Sequence, residues 1–226
     1  MAENVAAPNY DDYLTWVTTT PAPEDEVQFF KSIAWTRSLV EDPLFKPIPT
    51  PTLFTITGQS HNAFIAKTIR TPEGISHWLM LMRKDFETPS DSHKGSGGVS
   101  SRPNNVEVRP TKQSDFIILM ELGADLDGFG GRVHGGAVCT ILDEALSLCV
   151  EYHRQRSSDS RAPLYTAQLN TTFRGSVPSP SVVIVKTWLE AKVGRKWFVK
   201  GQICDAQDNL LAQGEGLWLT EKESSI

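Results

Sequence analysis

The chain has 226 residues, of which 39% are hydrophobic and 22% are charged, and its formal net charge is -5. This length can bury a substantial core, and the composition is ordinary for a soluble globular protein. The acidic balance excludes a generally basic surface of the kind that binds nucleic acid or an anionic membrane, so any anionic ligand must be met by a local group of cations.

The cysteines and the N-terminus bear on the compartment. Cys139, Cys149 and Cys204 are too few and too scattered for a disulfide framework or a zinc site, so we interpret them as buried apolar groups in a reducing environment. The N-terminus resembles neither a secretory signal nor a mitochondrial presequence, and no stretch approaches the roughly 20 apolar residues that span a bilayer. We therefore expect an intracellular protein, in the cytoplasm or in an organelle that we leave unassigned, with no metal or other cofactor.

The N-terminal quarter of the sequence predicts an extension. Residues 1–25 are rich in proline, threonine and acidic side chains, which favours a loose arm. From Glu24 to Val40 the apolar residues recur near helical spacing behind an acidic start. The four prolines between residues 43 and 51 predict that this helix has ended and that no regular structure follows it there. We assign 1–51 to an N-terminal arm and helix, and 52–226 to the main domain.

The main domain begins with two apolar segments that predict strands, Ile75 to Lys84 and Phe116 to Gly123. Between them, residues 87–112 are polar and rich in serine, glycine and proline, which indicates a mobile loop insertion. A long helix follows within residues 131–153. Four more strand candidates come next, separated by short turns: LYTAQLNTTF, SVVIVKTWLEA, KWFVKGQIC and LLAQGEGLWL. This order predicts an α+β fold in which an antiparallel sheet wraps around one helix.

The predicted central helix is apolar around most of its circumference. Its remaining positions form a narrow polar strip, which must face something other than the core: Thr140, Asp143, Glu144, Ser147 and Glu151. Asp143 lies at the edge of this strip, where partial burial could tune a carboxylate to act as a base or as a nucleophile. It could equally be an ordinary solvated side chain.

Two glycines, Gly135 and Gly136, stand at the start of this helix. Glycine lets another atom approach the backbone closely, and the first-turn amides of a helix have no acceptor within the helix. Such amides can bind a carbonyl oxygen that is gaining negative charge, although a tight turn would also explain the glycines. Val133 stands where a dinucleotide-binding fingerprint needs its third glycine, so that motif is excluded.

These residues resemble a known family. VHGGAVCTILDEA, residues 133–145, resembles the His-Gly-Gly helix of hotdog-fold thioesterases, in which an acid follows the histidine by nine positions, as Asp143 follows His134. The strands that follow look like those of the 4-hydroxybenzoyl-CoA and phenylacetyl-CoA thioesterase branch, most of all its animal and fungal acyl-CoA thioesterases with an N-terminal extension. The resemblance covers residues 116–220 well and 29–84 loosely. It implies a hotdog fold that forms a homodimer or a dimer of dimers, with active sites at the subunit interface.

The resemblance also implies roles for residues at matching positions. Gly135 would supply the amide that polarises the thioester carbonyl, beside Gly136 in the substrate site, with His134 holding the turn. Asp143 would be the general base or the nucleophile. Thr166 would orient the attacking water. Alternation along LYTAQLNTTF puts Thr166 on one face with Gln168, Asn170 and Thr172, although such a face could simply be solvated.

Two further features concern substrate contacts. Arg195 and Lys196 lie at a predicted turn where relatives place cations that could bind the phosphates of coenzyme A, although a charged hairpin tip is also common at a surface. Gly128 stands where bacterial members often have an asparagine or glutamine, which leaves a second contact to the carbonyl unassigned.

The sequence thus favours an enzyme that hydrolyses acyl-CoA thioesters. The first alternative is a hydrolase that releases acyl or polyketide chains from a carrier protein, and the second is a non-catalytic hotdog protein that binds acyl ligands.

Overall fold

The structure of the protein is a computed structural model that describes residues 13–54, 62–90, 107–157 and 162–222. The α-helices are α1 (Tyr13–Thr19), α2 (Glu24–Ser32), α3 (Ala34–Val40) and α4 (Gly135–Ser157). The strands are β1 (Phe45–Ile48), β2 (Ile75–Arg83), β3 (Phe116–Leu122), β4 (Asp127–Phe129), β5 (Arg132–Val133), β6 (Leu164–Phe173), β7 (Ser181–Val193), β8 (Lys196–Cys204) and β9 (Leu210–Thr220). Short helical turns are Pro51–Leu53, Thr111–Gln113 and Ala124–Leu126, and Phe64–Ile69 forms a π-helix.

Seven strands form one antiparallel sheet in the order β1-β2-β3-β7-β8-β9-β6. The long helix α4 packs against β7, β8, β9 and β6. Strands β4 and β5 form a separate small hairpin just ahead of α4. This arrangement confirms the predicted α+β hotdog fold, an antiparallel sheet around one long central helix.

Both faces of the sheet are covered at β2 and β3. For this reason most residues of these two strands are apolar. In β2, Trp78, Met80 and Met82 point into the core that contains α4, whereas Leu79 and Leu81 point into a second core on the outer face. Phe30 of α2 and Val40 of α3 belong to that outer core. The N-terminal extension therefore buries the outer face of the sheet, and the apolar area removed from water there stabilises its attachment.

The N-terminal helices differ from the sequence-based expectation in two respects. Residues 13–19 of the predicted loose arm form α1, whose Trp16 and Val17 are buried. The Gln155 side chain of α4 accepts a hydrogen bond from the Leu14 amide at 3.0 Å. The single helix predicted from Glu24 to Val40 is broken at Ile33, which is extended (φ -93°, ψ 124°). The Thr36 hydroxyl donates to the carbonyl groups of Phe30 and Ile33 at this break, which compensates for lost helical hydrogen bonds.

The expectation that prolines prevent regular structure between residues 43 and 51 was wrong for four residues. Phe45–Ile48 is strand β1, with Pro47 paired opposite Leu81. Since β1 is the edge strand of the sheet, a residue without an N–H can be accommodated where the backbone faces away from β2. The segment assigned to the arm thereby contributes a strand to the sheet.

The predicted loop insertion at 87–112 lies mostly outside the described residues. Its last residues are held to the sheet, because Gln202 of β8 accepts a hydrogen bond from the Arg109 amide at 2.8 Å and donates one to the Glu107 carbonyl at 3.1 Å. Among the described helices, none has the length and apolar character needed to cross a membrane.

Candidate active site

The start of α4 is positioned by the β4–β5 hairpin. Gly131 adopts a left-handed conformation (φ 72°) at the turn, and its amide donates to the Asp127 carboxylate at 2.7 Å. The same carboxylate accepts a hydrogen bond from the Ser179 hydroxyl. The chain then returns so that the His134 amide donates to the Leu126 carbonyl at 2.7 Å. These contacts fix the point at which the helix begins.

The ring of His134 contacts the first residues of α4. Its Nδ1 atom accepts a hydrogen bond from the Gly136 amide at 2.9 Å. A Cβ atom at Gly136 would lie 2.9 Å from Nδ1, and one at Gly128 would lie 2.8 Å from Cδ2 of the same ring. A side chain at either glycine would therefore require the His134 ring to move. Gly128, the position that departs from the bacterial pattern, is the residue that makes room for the His134 ring.

The amide of Gly135 is the first of the helix, and within the described part of the chain no acceptor is recorded for it. The ring of Phe173, at the end of β6, lies 3.4 Å from the position that a Cβ of Gly135 would occupy. Phe173 is 53% exposed, so the ring covers Gly135 at the surface of the chain. An unpaired amide at a helix N-terminus is chemically suited to bind a developing oxyanion.

Asp143 and Thr166 are brought together from different elements. The hydroxyl of Thr166 in β6 donates a hydrogen bond to Oδ1 of Asp143 in α4 at 3.1 Å. Asp143 is half-buried, and this burial raises the pKa of its carboxyl above the ordinary value, while the hydrogen bond from Thr166 acts in the opposite direction. A partly desolvated carboxylate held by one hydroxyl can accept a proton from a water molecule beside it.

The face of β6 that carries Thr166 differs from the sequence-based expectation. A bulge at Ala167 shifts the register between Thr166 and Gln168, so the alternation of side chains changes there. Thr166 consequently points towards α4 together with Leu169 and Thr171. Leu169 packs on the core, and Thr171 accepts a hydrogen bond from Cys139 of α4 at 3.6 Å. The expected grouping of Thr166 with Gln168, Asn170 and Thr172 was therefore wrong.

Gly135 does not lie beside the Asp143–Thr166 pair within one chain. The two residues are eight positions apart in α4, which corresponds to roughly 12 Å along the helix axis. A thioester carbonyl is much shorter than this distance, so one chain cannot hold its oxygen at Gly135 while Asp143 acts on its carbon. The structure brings the Asp143 carboxyl and the Thr166 hydroxyl together. The Gly135 amide lies near Phe173, at the other end of strand β6.

A cavity of about 440 Å³ opens beside Asp143. It lies between the polar strip of α4, strand β6 and the turn of chain that leads into the π-helix. The residues that line it are Asn62, Phe64, Ile65, Cys139, Thr140, Asp143, Glu144 and Leu169. Three residues of the polar strip of α4, Thr140, Asp143 and Glu144, therefore line a cavity in place of bulk core.

Glu144 is a cavity residue to which the sequence analysis assigned no role. Burial raises the pKa of its carboxyl from 4.5 to about 7, with the negative charge of Asp143 adding to the rise and the hydroxyl of Thr52 partly offsetting it. Nevertheless Oε1 of Glu144 and Oγ1 of Thr52 are both shielded from solvent and without a hydrogen-bond partner of normal geometry in the described structure. Two consecutive acids on an otherwise apolar helix were the sequence signal that could have identified this position.

Arg195 and Lys196 lie at the exposed turn between β7 and β8. The Arg195 guanidinium donates to the Thr220 carbonyl at 3.2 Å. Lys196 is in register with Leu219 of β9, which in turn pairs with Tyr165 of β6. Lys196 is thus one residue row from Thr166 and roughly 10 Å across the sheet from β6, given the usual strand spacing.

One group of side chains in the described chain could hold a metal ion. The ligand atoms of Asp115, Cys149 and His153 lie within 4.8 Å of one another and are buried. Cys149 and His153 are four residues apart, one turn of α4, and this spacing in the sequence was the signal for the cluster. Both ring nitrogens of His153 already have partners, with Nδ1 at 3.0 Å from the Thr88 hydroxyl and Nε2 at 3.0 Å from Asp115. This network ties the second half of α4 to the start of β3.

The fold and the site together define a hotdog protein with an acid and hydroxyl pair beside a cavity. The amide at the start of its central helix has no acceptor among the described residues. Residues 130–212 match the family model described as Thioesterase superfamily. The match includes α4 and β6, and therefore Gly135, Asp143 and Thr166.

Similar proteins were found by sequence and by structure. The mouse (Mus musculus) protein named acyl-coenzyme A thioesterase THEM4 is 35% identical over 108 residues, which are 48% of this chain and 41% of the relative. The Saccharomyces cerevisiae protein named MIOREX complex component 3 is 25% identical over 138 residues, 56% of this chain and 47% of the relative. The chain thus spans less than half the length of these curated relatives. A solved structure of zebra fish thioesterase superfamily member 2 has a TM-score of 0.42 and 17% identity, over 47% of this chain and 74% of that one.

Proposed function

We propose that the protein hydrolyses acyl-CoA thioesters to a free acid and coenzyme A. The observation that carries the proposal is the hydrogen bond from Thr166 to Asp143 at the mouth of the cavity, because it puts a partly desolvated base where an acyl group would enter. The superfamily of residues 130–212 and the names of the THEM4 relatives support the choice of substrate. The exposed cations Arg195 and Lys196 are candidates to bind the phosphates of coenzyme A.

In the proposed reaction, the Asp143 carboxylate removes a proton from a water molecule that Thr166 helps to orient. The water oxygen then forms a bond to the carbonyl carbon, and negative charge develops on the carbonyl oxygen, where a backbone amide stabilises it. When the tetrahedral intermediate collapses, the carbon–sulfur bond breaks and the leaving thiolate takes the proton from Asp143. All atoms of water are accounted for in the acid and the thiol.

Asp143 could instead attack the carbonyl carbon directly and form an anhydride that water then opens. A single turnover in water enriched in heavy oxygen can reveal the second route. If water opens the anhydride at the Asp143 carbonyl, the heavy oxygen enters the carboxyl group of the enzyme, whereas base catalysis puts it only into the acyl product. Mass spectrometry of the peptide that contains Asp143 gives the answer.

We further propose that a complete site needs a second copy of the chain, which would supply the Gly135 amide. The distance of roughly 12 Å between Gly135 and Asp143 along α4 motivates this step. Strand β6 is an edge strand of the sheet, and most of its side chains are exposed on both faces, including Tyr165 and Phe173. An exposed edge with aromatic side chains is suited to pair with the same strand of another copy about a twofold axis.

Thiol release from a panel of acyl-CoA substrates tests the activity. We expect Asp143→Asn to lower kcat/KM by at least about a hundredfold, since a positioned base contributes on that order. The exposed Asp125→Asn is the matched control and should hydrolyse at the wild-type rate. Full activity in Asp143→Asn would overturn the site, and thioesters of a carrier protein cleaved in place of matched CoA thioesters would favour the carrier hydrolase.

Mixing two inactive variants tests the shared site. Gly135→Pro removes the amide hydrogen at the first helical position, where proline is tolerated, and Asp143→Asn removes the base. If each site combines Gly135 of one copy with Asp143 of the other, a mixed dimer regains one intact site. Random pairing of equal amounts then restores about a quarter of the wild-type rate per chain, because half of the dimers are mixed. No recovery in verified mixed dimers would mean that both groups act from the same chain.

A further inference from the structure

Glu144 is a second acid in the cavity, and the mechanism above does not use it. It follows Asp143 directly in α4 and lines the same cavity. Its Oε1 atom is shielded from solvent, and the nearby hydroxyl of Thr52, which lowers the pKa of Glu144, makes no hydrogen bond of normal geometry to it in the described structure. Phe64, Ile65 and Leu169 supply an apolar lining around it. A buried carboxyl oxygen without a hydrogen bond destabilises a folded protein. A ligand that donates a hydrogen bond to this oxygen would relieve the destabilisation and bind more tightly as a result.

Resting on the proposed function, we propose that Glu144 recognises a hydroxyl group on the acyl chain, and that the preferred substrates are hydroxyacyl thioesters. The position of Glu144 determines where the hydroxyl lies. Both residues line the same cavity, and the charge of Asp143 acts on the Glu144 carboxyl, so a group bound by Glu144 lies within reach of the acyl chain whose carbonyl Asp143 serves. The apolar residues of the cavity would contact the remainder of the chain.

A hydroxyl is favoured over other polar groups by the state of the Glu144 side chain. With a pKa of about 7, raised first by burial, this carboxyl is present in both protonation states near neutral pH. A hydroxyl group donates to the ionised form and accepts from the protonated form, so it satisfies Glu144 in either state. A ketone accepts only, and can pair with the protonated form alone. A hydroxyl therefore keeps a hydrogen bond to Glu144 in both protonation states of the carboxyl, whereas a ketone does not.

The test compares pairs of CoA thioesters that differ by one hydroxyl, such as butanoyl-CoA with each enantiomer of 3-hydroxybutanoyl-CoA, and the corresponding octanoyl pair. We expect the wild-type protein to favour one hydroxyacyl enantiomer by at least about tenfold in kcat/KM, the size of one good hydrogen bond to a buried polar group. Glu144→Leu should bring the ratio close to one. Glu144→Gln, whose amide also donates and accepts, should retain part of the preference. The exposed Glu73→Gln is the matched control and should keep the wild-type ratio.

The ratio separates this inference from the proposed function. A wild-type ratio of one or less, or a preference that Glu144→Leu leaves unchanged, overturns the role of Glu144 even when the protein is an active thioesterase. If no thioester is hydrolysed, the proposed function fails, and calorimetry on the same substrate pairs then tests the role of Glu144. Tighter binding of the hydroxyacyl form that is lost in Glu144→Leu supports this role. Equal binding of the two forms overturns it. If Glu144→Leu does not fold, the isosteric Glu144→Gln replaces it in the test. A kcat/KM ratio equal to that of the wild type over the whole pH range in which the carboxyl titrates would contradict a role for this side chain.

Discussion

The replacement of Glu144 by glutamine should make the stability of the protein less sensitive to pH. Burial raises the pKa of Glu144 from 4.5 to about 7, so between these pH values the folded chain holds a proton that the unfolded chain has released. By linkage, the free energy of unfolding then falls as the pH rises through this window, and the loss is complete above about pH 7. A shift of this size corresponds to about 3 kcal/mol, and water that enters the cavity would reduce it to about 1–3 kcal/mol.

Glutamine has nearly the same shape and carries no charge, so Glu144→Gln removes this loss. We expect wild type and variant to unfold at similar temperatures at about pH 4.5, where the glutamate is protonated in the folded state. At about pH 8 the variant should melt roughly 3–9 °C higher, given the usual dependence of Tm on free energy for a chain of this size. The measurement is thermal unfolding by circular dichroism across this range, with Glu73→Gln as control. A difference in Tm that stays constant with pH, or that is largest in acid, would refute the assignment of a raised pKa to Glu144.

Three further predictions concern other parts of the site and the extension. Thr166→Val removes the hydrogen bond that lowers the pKa of Asp143, so this pKa should rise and the acid limb of the kcat/KM profile should move to higher pH; an unmoved limb would mean that Asp143 is not the titrating base. Gly128→Ala places a methyl group against the site histidine ring and should cost about 1–3 kcal/mol in chemical unfolding, whereas Gly130→Ala, with nothing within 4 Å, should cost much less. Glu26→Gln should destabilise the protein by about 3 kcal/mol because its buried carboxylate pairs with a guanidinium and an imidazole, and a loss below 1 kcal/mol would contradict that role.

The elements of the hotdog fold were predictable because each has a strong local signal. The apolar circumference of α4 and the short apolar runs of β2 and β3 identify themselves by composition and spacing, and their order in the chain restricts the topology. The pairing of Asp143 with Thr166 followed from the resemblance, and the hydrogen bond of 3.1 Å is compatible with it. The residues that share a face of β6 with Thr166 could not be predicted from the resemblance or from strand alternation. Nothing in LYTAQLNTTF marks Ala167 as an inserted residue, and a single bulge reverses every assignment on one side of it.

The N-terminal extension was harder to predict because its structure depends on contacts that are distant in sequence. The short helix α1 is stabilised by burial of Trp16 and Val17, and a seven-residue helix has little stability of its own. Glu26 appeared to be one of three acids at a helix start, yet it is 4% exposed and accepts hydrogen bonds from the amide of Trp78 at 3.0 Å and from Arg70. Arg70 is 44 residues away, and helix periodicity cannot reveal such a partner.

The same extension has a consequence for substrate choice. Residues 130–212, which match the superfamily, contain Asp143, Thr166 and Glu144, but the cavity beside them is also lined by Asn62, Phe64 and Ile65. Those three residues precede and begin the π-helix, whose C-terminal neighbour Arg70 is paired with Glu26 of α2. The position of the lining is therefore coupled to the helices on the outer face of the sheet. A chain could keep Asp143 and Thr166 unchanged and still select a different acyl group by altering this segment. The proposed attack involves only α4 and β6, whereas the cavity is also lined by Asn62, Phe64 and Ile65. Swapping residues 62–65 between relatives should for this reason change the order of preferred acyl chains more than the maximal rate of hydrolysis.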